Sequence, residues 1–577
     1  MKSRRSRLRI SLAVLTVFAV VAVFVVRLVD IQIVQADELN ALSLSKRAQG
    51  LVTYGVRGNI VDRSGAPLAS SVERYDITAS PRSALSRGSD SVALTEAIAS
   101  ITSITGQVST DLMSSLLTDP TSDFAYLTKG VTLDVFHAVR DLDIPWVYFE
   151  LRPSRTYPNG ALAGNLVGFI GTDGPQAGIE LTEDKCLASS NGTATYEKGE
   201  DGVRLPGSLV TAVAPKDGGT VRLTIDRDLQ FYVQQRMAQT YQDLGAEWTT
   251  AVVIRISDGH LMAVADYPAV DPNNVDGVPN TALGSIAFSW PYEPGSTMKA
   301  VTAASLIDAG VATPTSQIVA PGRLYLSDGG FIKDAWSHDD TRYTLTGALV
   351  DSSNVAVSLF SDLVSASDRH DYMTGFGLNS ETEVGFNGES SGLVHDVEEW
   401  DERTNYAVQF GQGMSVTSVQ MASIYQTLGN KGVRMPVTLV EGCEWPDGTV
   451  TDLPPHEGRR VVSEQAATQT IEMLENVVTQ GWASANLTID GYRVAAKSGT
   501  AQVAENGVYG EKTVISFAGV APVDDPQYAV VVTAGIPTSM YSSGAIATTF
   551  HDVMAQALTV FRVTPSTVSA RVLPLTW

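Results

Sequence analysis

Hydrophobic residues are concentrated most strongly near the amino terminus. All residues from 10 to 26 are apolar except two, which gives a run of 17 residues. A helix of this length is at the short end of what spans a bilayer. Residues 1–9 contain five basic residues and no acidic one, so the positive-inside rule places them in the cytoplasm and the rest of the chain outside. A cleaved signal peptide is the alternative, but the run exceeds a typical signal core, so we expect a retained membrane helix over residues 10–28.

Weaker periodic patterns follow, and they predict a mixed domain over residues 29–220. Residues 30–46 show a polar, helical pattern, whereas residues 51–65 alternate as a strand does and end in an Asp-Arg-Ser-Gly turn. A helical, polar pattern returns over residues 85–145. The stretch 188–219 is rich in Ser, Asn, Gly, Glu and Lys and predicts loops.

A different pattern begins after residue 220 and predicts an α+β domain over residues 221–562. Residues 249–256 read as a strong strand, and residues 261–265 follow a turn as its returning partner. A long helical middle separates these strands from a second strand-rich region over residues 514–534. We therefore expect an antiparallel sheet assembled from both ends of the domain around inserted helices, whereas the largely apolar residues 563–577 stay unassigned.

Composition narrows the possible functions. A chain of 577 residues has room for several domains, and its net charge of −23 argues against nucleic acid as a partner, because phosphates require a basic surface. Cys186 and Cys443 lie far apart and in different predicted domains, so no disulfide is expected between them. The histidines are scattered and no Cys or His cluster has zinc spacing, so neither a metal nor another cofactor is expected.

The first candidate for chemistry is Ser296-x-x-Lys299. A Pro-Gly turn precedes a small-residue helix predicted over residues 297–309, so Ser296 stands where free amides favour a developing oxyanion. Lys299 lies one turn along the same face, and apolar surroundings would lower its pKa enough to make it a base for the serine hydroxyl. Taken alone, such a pattern is more often a capping serine beside a lysine that reaches to solvent.

The second candidate, Ser352-x-Asn354, lies between two predicted apolar helices. A hydroxyl and an amide at such a junction can face a cleft together, with Ser352 relaying a proton and Asn354 holding a substrate amide. The alternative explanation is an ordinary helix cap.

The third candidate, Lys497-Ser498-Gly499-Thr500, has strand character interrupted by one glycine. Gly499 would let a ligand approach the strand backbone closely. Thr500 would then supply a second oxyanion amide beside that of Ser296, while Lys497 and Ser498 bind a substrate carboxylate. A lysine in a surface turn is the alternative.

Order and setting distinguish these motifs from chance copies elsewhere in the chain. Ser43-x-x-Lys46 and Ser189-Ser190-Asn191 repeat the first two patterns, on a predicted stalk helix and in a predicted loop. The three motifs occur in the order nucleophile, hydroxyl, lysine strand, each in a setting that suits it. Together they predict a serine acyl-transferase that works without histidine.

In this order the motifs resemble those of the serine penicillin-recognising enzymes, which include penicillin-binding proteins and serine β-lactamases. The resemblance narrows to the class B penicillin-binding proteins and covers roughly residues 10–560. The segments similar to signatures of that class are Arg57-Gly58-x-Ile60-x-Asp62-Arg63-x-Gly65, Arg155-x-Tyr157-Pro158, Gly178-Ile179-Glu180 and Gly411-Gln412-Gly413-Met414-Ser415.

The resemblance implies both an architecture and a reaction. The expected fold is α+β, with a single transmembrane helix, an elongated mixed pedestal domain and a penicillin-binding transpeptidase domain with a five-stranded antiparallel sheet flanked by helices. The expected activity is a D,D-transpeptidase that cross-links peptidoglycan. In that reaction Ser296 attacks the bond between the two terminal D-alanines of a stem peptide, and an amine of a neighbouring stem resolves the acyl-enzyme. β-Lactams would acylate Ser296 and stay bound.

Residue roles follow from the same resemblance. The implied catalytic residues are Ser296, Lys299, Ser352 and Lys497, and the implied substrate-binding residues are Asn354, Ser498, Gly499 and Thr500. Lys299 is the implied base for acylation, while Ser352 and Lys497 relay a proton to the leaving group. Ser498 replaces the commoner threonine but keeps the hydroxyl, whereas residues 536–541 depart from the acidic block usual in the family.

The family also implies partners. No glycosyltransferase segment separates the membrane helix from the pedestal. The family therefore implies that a partner, a membrane-embedded glycosyltransferase of the shape, elongation, division and sporulation family, polymerises the glycan. Other divisome proteins are further implied partners. The segment after Asp30 is more similar to a septal enzyme than to an elongation enzyme. A β-lactamase and a catalytically silent division scaffold are the remaining alternatives.

Overall fold

The computed structural model describes residues 2–87, 91–197, 207–505 and 508–577. Its described residues form two compact units. The smaller unit comprises residues up to 57, 71–154 and 189–217, and the larger comprises residues 58–70, 155–188 and 218–577. Two segments from the predicted pedestal thus belong to the same compact unit as the predicted transpeptidase domain, and the functional domain boundaries stay a prediction.

The predicted membrane segment lies in a long helix of the smaller unit. An α-helix covers Lys2–Val29, continues through a π-helical turn at Asp30–Val34, and is followed by a second α-helix at Ala36–Arg47. Within the described part of the chain, Ser6–Val34 is the one stretch long and apolar enough to cross a membrane. Its apolar side chains are exposed, as a lipid-facing segment requires.

The rest of the smaller unit contains two three-stranded sheets. Their strand orders are Ala48–Thr53, Gly192–Glu197, Val210–Val213 and Ala125–Val131, Tyr75–Ala79, Val147–Leu151. The helices are Pro81–Arg87, Ser91–Thr105, Thr110–Thr118 and Leu133–Arg140. The strands Gly192–Glu197 and Ala125–Val131 were missed by the local patterns, which predicted loops and helix there. Gly192–Glu197 pairs along its whole length with Ala48–Thr53, a partner too distant in sequence for local periodicity to reveal.

A five-stranded antiparallel sheet organises the larger unit, as the sequence predicted. Its strand order is Leu261–Tyr267, Trp248–Arg255, Tyr528–Gly535, Val508–Ala521, Ala495–Glu505. The central strands are nearly continuous apolar runs because both faces are covered. Ala251 and Val253 face a core shared with the helices Arg227–Leu244 and Ala547–Val560. Val252 faces the opposite core, which includes the helix Ser418–Gly429.

The remaining elements surround this sheet. The other α-helices are Gly164–Val167, Gly178–Thr182, Asp184–Leu187, Ile286–Ser289, Lys299–Asp308, Leu345–Val350, Asn354–Ser361, Ala366–Gly375, Glu402–Ala407, Glu464–Gln480 and Ser484–Leu487. A second sheet has the order Val450–Thr451, Val440–Glu444, Thr220–Leu223, Ile60–Val61, Pro67–Val72, Ser154–Thr156. Four strand pairs complete the unit: Ile170–Gly171 with Gly174–Pro175, Gln317–Ala320 with Thr341–Thr344, Arg323–Tyr325 with Phe331–Lys333, and Val433–Arg434 with Arg459–Arg460.

The class B signature residues have structural contacts inside the larger unit. Arg155 and Glu180 form a buried ion pair with a distance of 2.6 Å from Nε to Oε1. Arg155 also donates a hydrogen bond from Nη1 to the carbonyl oxygen of Gly58 at 2.6 Å. Asp62 accepts hydrogen bonds from the amides of Ser64 and Ala66, which closes the predicted turn. These signatures therefore stabilise the fold.

The expectation that Cys186 and Cys443 form no disulfide is wrong. The two residues are bonded, with their Cα atoms 5.9 Å apart. Both lie in the larger unit, because the amide of Gly219 donates to the carbonyl of Cys186 and the neighbouring Val221 pairs with Cys443. The prediction failed because it assigned the two cysteines to separate domains.

The unassigned carboxyl-terminal tail packs on the larger unit. Leu573 is buried, and its amide donates to Asn476 Oδ1 at 2.9 Å on the helix Glu464–Gln480. The amide of Thr344 donates to the carbonyl of Leu575 at 3.0 Å. Thr344 caps the helix Leu345–Val350, so the tail contacts the helix that leads directly to the second motif.

Candidate active site

The first motif begins in a tight turn. A 3-10 turn at Gly295–Met298 carries Ser296 and continues into the buried α-helix Lys299–Asp308. Gly295 has φ +57°, and its amide donates to the carbonyl of Gly411 at 2.9 Å. The turn leaves Ser296 half-buried and lining a cleft, whereas Lys299 is fully buried.

In the second motif, one residue caps a helix and two others contact the lysines. Ser353 is the cap of the helix Asn354–Ser361, because its Oγ accepts a hydrogen bond from the amide of Ala356 at 2.9 Å. Ser352 precedes it with φ +57°, a left-handed conformation that is uncommon for serine. The cap explanation thus applies to Ser353, and the side chains of Ser352 and Asn354 face the lysines.

The Ser352 hydroxyl joins the two motif lysines. Lys299 Nζ lies 3.2 Å from Ser352 Oγ, and Lys497 Nζ lies 3.0 Å from the same oxygen. Lys299 also donates to the carbonyl of Ser352 at 2.5 Å and to Asn354 Oδ1 at 2.7 Å. Lys497 further contacts the carbonyl and hydroxyl oxygens of Ser498, at 3.2 and 3.3 Å. The three motifs therefore meet at one hydroxyl group.

Burial changes the protonation of both amines. It holds the pKa of Lys299 well below the usual lysine value, the charge of Lys497 lowers it further, and the charge of Asp334 raises it. Burial also lowers the pKa of Lys497 to about 7. Since two ammonium groups would repel each other around Ser352, the pair favours states with fewer than two protons near neutral pH.

The third motif lies on an edge strand of the central sheet, Ala495–Glu505. A Cβ atom added at Gly499 would lie 2.4 Å from Ser516 Oγ, 2.6 Å from the carbonyl oxygen of Pro294 and 3.2 Å from Thr297 Cγ2. The glycine is therefore required for the turn of Ser296 to pack against this strand. Thr500, one residue on, is exposed and lines the cleft.

The cleft has a volume of about 510 Å³. Ser296, Asn354 and Thr500 line it together. Further lining residues are Phe331, Lys333, Asp334, Arg403, Gln412 and Tyr509. Gln412 belongs to the segment of residues 411–415 noted in the sequence, whereas sequence reasoning missed the other five because no short motif marks them.

Glu293 is a further residue that the sequence analysis passed over within a predicted turn. Its Oε1 accepts hydrogen bonds from Tyr509 Oη at 2.8 Å and from the amide of Gly413 at 3.0 Å. Burial raises the pKa of Glu293, against the effect of these two hydrogen bonds. The carboxyl group links the turn before Ser296 to two segments of the cleft wall.

The chance copies of the motifs differ in setting. Ser189 Oγ donates to the carbonyl of Gly55 at 3.0 Å, and Asn191 Oδ1 accepts from the amide of the same residue at 3.2 Å. Both side chains therefore form hydrogen bonds with the backbone of Gly55 in the smaller unit. The side chains of the other copy, Ser43 and Lys46, lie outside the described residues.

The site combines a half-buried serine at a helix start with two buried lysines that contact one hydroxyl group. These groups suffice for a serine acyl-transferase that needs no histidine. Family models agree with this chemistry. The penicillin binding protein transpeptidase domain matches residues 249–555, and the penicillin-binding protein dimerisation domain matches residues 52–223.

Individual relatives match most of the chain. Penicillin-binding protein PbpB of Mycolicibacterium smegmatis is 33% identical, over 94% of this chain and 89% of its own length. Peptidoglycan D,D-transpeptidase FtsI of Escherichia coli is 31% identical, over 88% of this chain and 84% of its own. The structure of a peptidoglycan synthetase from Bifidobacterium adolescentis has a TM-score of 0.74 and 28% identity, covering 92% of this chain and 100% of that one. Penicillin binding protein 3 from Mycobacterium tuberculosis, complexed with ampicillin, has a TM-score of 0.71 and 29% identity, covering 91% and 100%.

The chain belongs to the class B penicillin-binding proteins, with a dimerisation domain ahead of a serine-type transpeptidase domain.

The packing around Gly499 predicts a large effect of a single methyl group. In a Gly499→Ala variant, the new Cβ would clash with Ser516 Oγ and with the carbonyl oxygen of Pro294. The serine side chain can rotate away, but the backbone of Pro294 can give way only by moving the turn that carries Ser296. We expect the rate of acylation by a fluorescent penicillin to fall about 10²-fold, since a displacement of about 1 Å costs that much. Stopped labelling reactions resolved on a gel measure this rate.

Gly510 provides the matched control, because it lies on the adjacent strand and a Cβ there would meet no atom within 4 Å. Gly510→Ala is expected to label at the wild-type rate. Equal rates for Gly499→Ala and wild type would show that the turn does not depend on this contact.

Proposed function

We propose that this protein is a peptidoglycan D,D-transpeptidase of the division septum, and that it is a target of β-lactams. The observation that carries the proposal is the meeting of Ser296, two buried lysines and the Ser352 hydroxyl beside one cleft. Two relatives support the proposal. FtsI is named as a peptidoglycan D,D-transpeptidase, and PbpB is named as a penicillin-binding protein.

Acylation begins at Ser296. Neutral Lys299 accepts the hydroxyl proton as Ser296 attacks the carbonyl carbon of the penultimate D-alanine. The developing oxyanion is stabilised by the amides of Ser296 and Thr500, which come from a helical turn and a strand edge that lie close together. Lys497 delivers a proton through Ser352 to the departing nitrogen, so that terminal D-alanine leaves as a neutral amine.

Deacylation reverses these proton transfers with a different nucleophile. An amine of a neighbouring stem peptide gives its proton through Ser352 to Lys497 and attacks the acyl carbon, and the departing Ser296 oxygen regains its proton from Lys299. The products are the cross-linked peptide and the free enzyme.

The substrate is held by the second and third motifs. Asn354 binds an amide of the stem peptide, while Ser498 and Thr500 bind its terminal carboxylate on the edge strand, with Gly499 supplying backbone between them. β-Lactams carry an amide and a carboxylate in a similar arrangement, so they acylate Ser296 in place of the stem peptide.

Membrane attachment fits this substrate. The helix over residues 10–28 anchors the protein, with residues 1–9 in the cytoplasm and the cleft outside, where peptidoglycan is assembled. A membrane-embedded glycosyltransferase of the shape, elongation, division and sporulation family supplies the glycan strands, and other divisome proteins recruit the pair to the septum.

Peptide exchange tests the proposed activity. The full chain in detergent is incubated with a stem peptide ending in D-alanyl-D-alanine and an excess of labelled D-amino acid as the acceptor amine. We expect release of D-alanine with formation of the exchanged peptide, measured by liquid chromatography and mass spectrometry. Hydrolysis without exchange would contradict transpeptidation, and a functional fluorescent fusion confined to the side wall would contradict the septal assignment.

A further inference from the structure

Asp334 is a buried carboxylate near the catalytic lysines that no motif marks. It directly follows the strand Phe331–Lys333, and its side chain has no exposed surface. It accepts hydrogen bonds from Ser353 Oγ at 2.6 Å and from the amide of Val355 at 3.0 Å. The contact with His338 Nε2 is 2.9 Å long.

These contacts hold Asn354 from both sides. The two donors to Asp334, Ser353 and Val355, are the chain neighbours of Asn354. The Asn354 side-chain nitrogen donates to the carbonyl of Lys333 at 3.2 Å, in the same hairpin. The Asn354 Oδ1 atom is therefore directed away from that carbonyl and accepts a hydrogen bond from Lys299.

The charges around the lysines point to a second role for the same carboxylate. The charged groups that act on Lys299 are Lys497, from the edge strand, and Asp334, from the hairpin. The charge of Asp334 favours the protonated form of Lys299, and its hydrogen bonds with the two chain neighbours of Asn354 place it beside that residue, which contacts Lys299. A buried ammonium group persists only when its charge is balanced.

We propose that Asp334 is the counter-ion of the Lys299 ammonium that forms during acylation, and the positioning residue that directs Asn354 toward Lys299. This inference rests on the proposed function. During acylation Lys299 gains the proton of Ser296 and Lys497 loses one to the departing nitrogen, so the pair holds one proton before and after the step. A fixed carboxylate near Lys299 suits such a step because it stabilises the positive charge that arrives on this amine.

Two titratable groups face Asp334 from other sides. His338 contacts it from the loop after the hairpin, and the carbonyl of Asp339 and the carboxylate of Asp334 raise the pKa of His338 against the effect of its burial. Tyr343, on the strand Thr341–Thr344, also lies within its electrostatic influence. Protonated His338 weakens the field of Asp334 at the lysines, so the counter-ion acts most strongly when His338 is neutral.

Replacing Asp334 by asparagine tests the proposal through the pH profile of acylation. The active form carries one proton on the pair, so the second-order acylation rate falls when a second proton binds at low pH and when the last one leaves at high pH. The second proton binds at Lys299, so removing the negative charge of Asp334 should move the acid limb of the Asp334→Asn profile to lower pH by about one unit. The alkaline limb reports Lys497, whose pKa is lowered by burial, and it is expected to stay in place. A fluorescent penicillin reports the rate for the full chain at each pH.

Two matched variants separate charge from structure. Ser353→Ala removes one hydrogen bond to Asp334 but keeps its charge, so it is expected to lower the rate without moving either limb. Asp340→Asn removes an exposed carboxylate from the neighbouring loop and is expected to leave the profile unchanged. An acid limb of Asp334→Asn that coincides with that of wild type would overturn the counter-ion role.

A second variant covers the case in which Asp334→Asn does not fold. His338→Gln removes the cation that faces Asp334 at low pH, so the acid limb should move to higher pH; an unmoved limb would contradict the proposal. Failure of the proposed function gives a different result, because wild type would then show no acylation at any pH.

Discussion

A Lys299→Met variant is expected to be acylated by benzylpenicillin about 10³-fold more slowly than the wild-type protein. The Lys299 amine is fully buried, its pKa is depressed by burial and by Lys497, and it contacts Ser352 and Asn354. Methionine fills a similar volume without an amine, so it removes the base for Ser296 while the helix Lys299–Asp308 stays packed. The second-order rate constant is measured by rapid quenching and intact-protein mass spectrometry.

Lys431→Met is the control for this variant. Lys431 is an exposed lysine that pairs with Glu464 at 2.9 Å, away from the cleft. Its variant should be acylated at the wild-type rate. A Lys299→Met rate within about tenfold of wild type would mean that another group deprotonates Ser296, since a positioned base contributes at least about 10²-fold.

The sequence was a good guide to the parts of the site that short motifs encode. The motifs of Ser296, Ser352 and Lys497 were predicted to act together because each stood in a suitable local setting. The structure brings Lys299, Lys497 and Ser352 within hydrogen-bond distance and places Ser296 in the lining of the cleft, while the roles of these residues stay a prediction. The strands of the central sheet were predictable because both faces are buried, which leaves continuous apolar runs.

Features that depend on distant pairing could not be predicted. Asp334 is a single polar residue after a three-residue strand, and its link to Ser353 and Val355 exists only once the hairpin packs on the helix start. A helix cap was the alternative explanation of the second motif, and only the structure shows that Ser353, not Ser352, is the cap. The same limitation explains the missed disulfide.

The structure changes the interpretation of Gly499 in the third motif. A glycine in the third motif suggested close approach of a ligand, but the space beside Gly499 is filled by Pro294, Thr297 and Ser516. The glycine therefore lets the turn that carries Ser296 pack against the strand of the third motif. This contact explains why the first and third motifs need each other although they are far apart in the chain.

The central claim is that Ser296 is the nucleophile of a serine acyl-transferase, and mapping the penicillin adduct tests it most directly. The full chain is incubated with benzylpenicillin, its intact mass is measured, and the modified residue is located by peptide fragmentation. Ser189→Ala, which alters the serine of the chance copy, should still form the adduct. The account predicts one adduct per chain, on Ser296, and at least about 10³-fold less in Ser296→Ala, because no other positioned nucleophile replaces the hydroxyl. An adduct on another residue, or full labelling of Ser296→Ala, would contradict it.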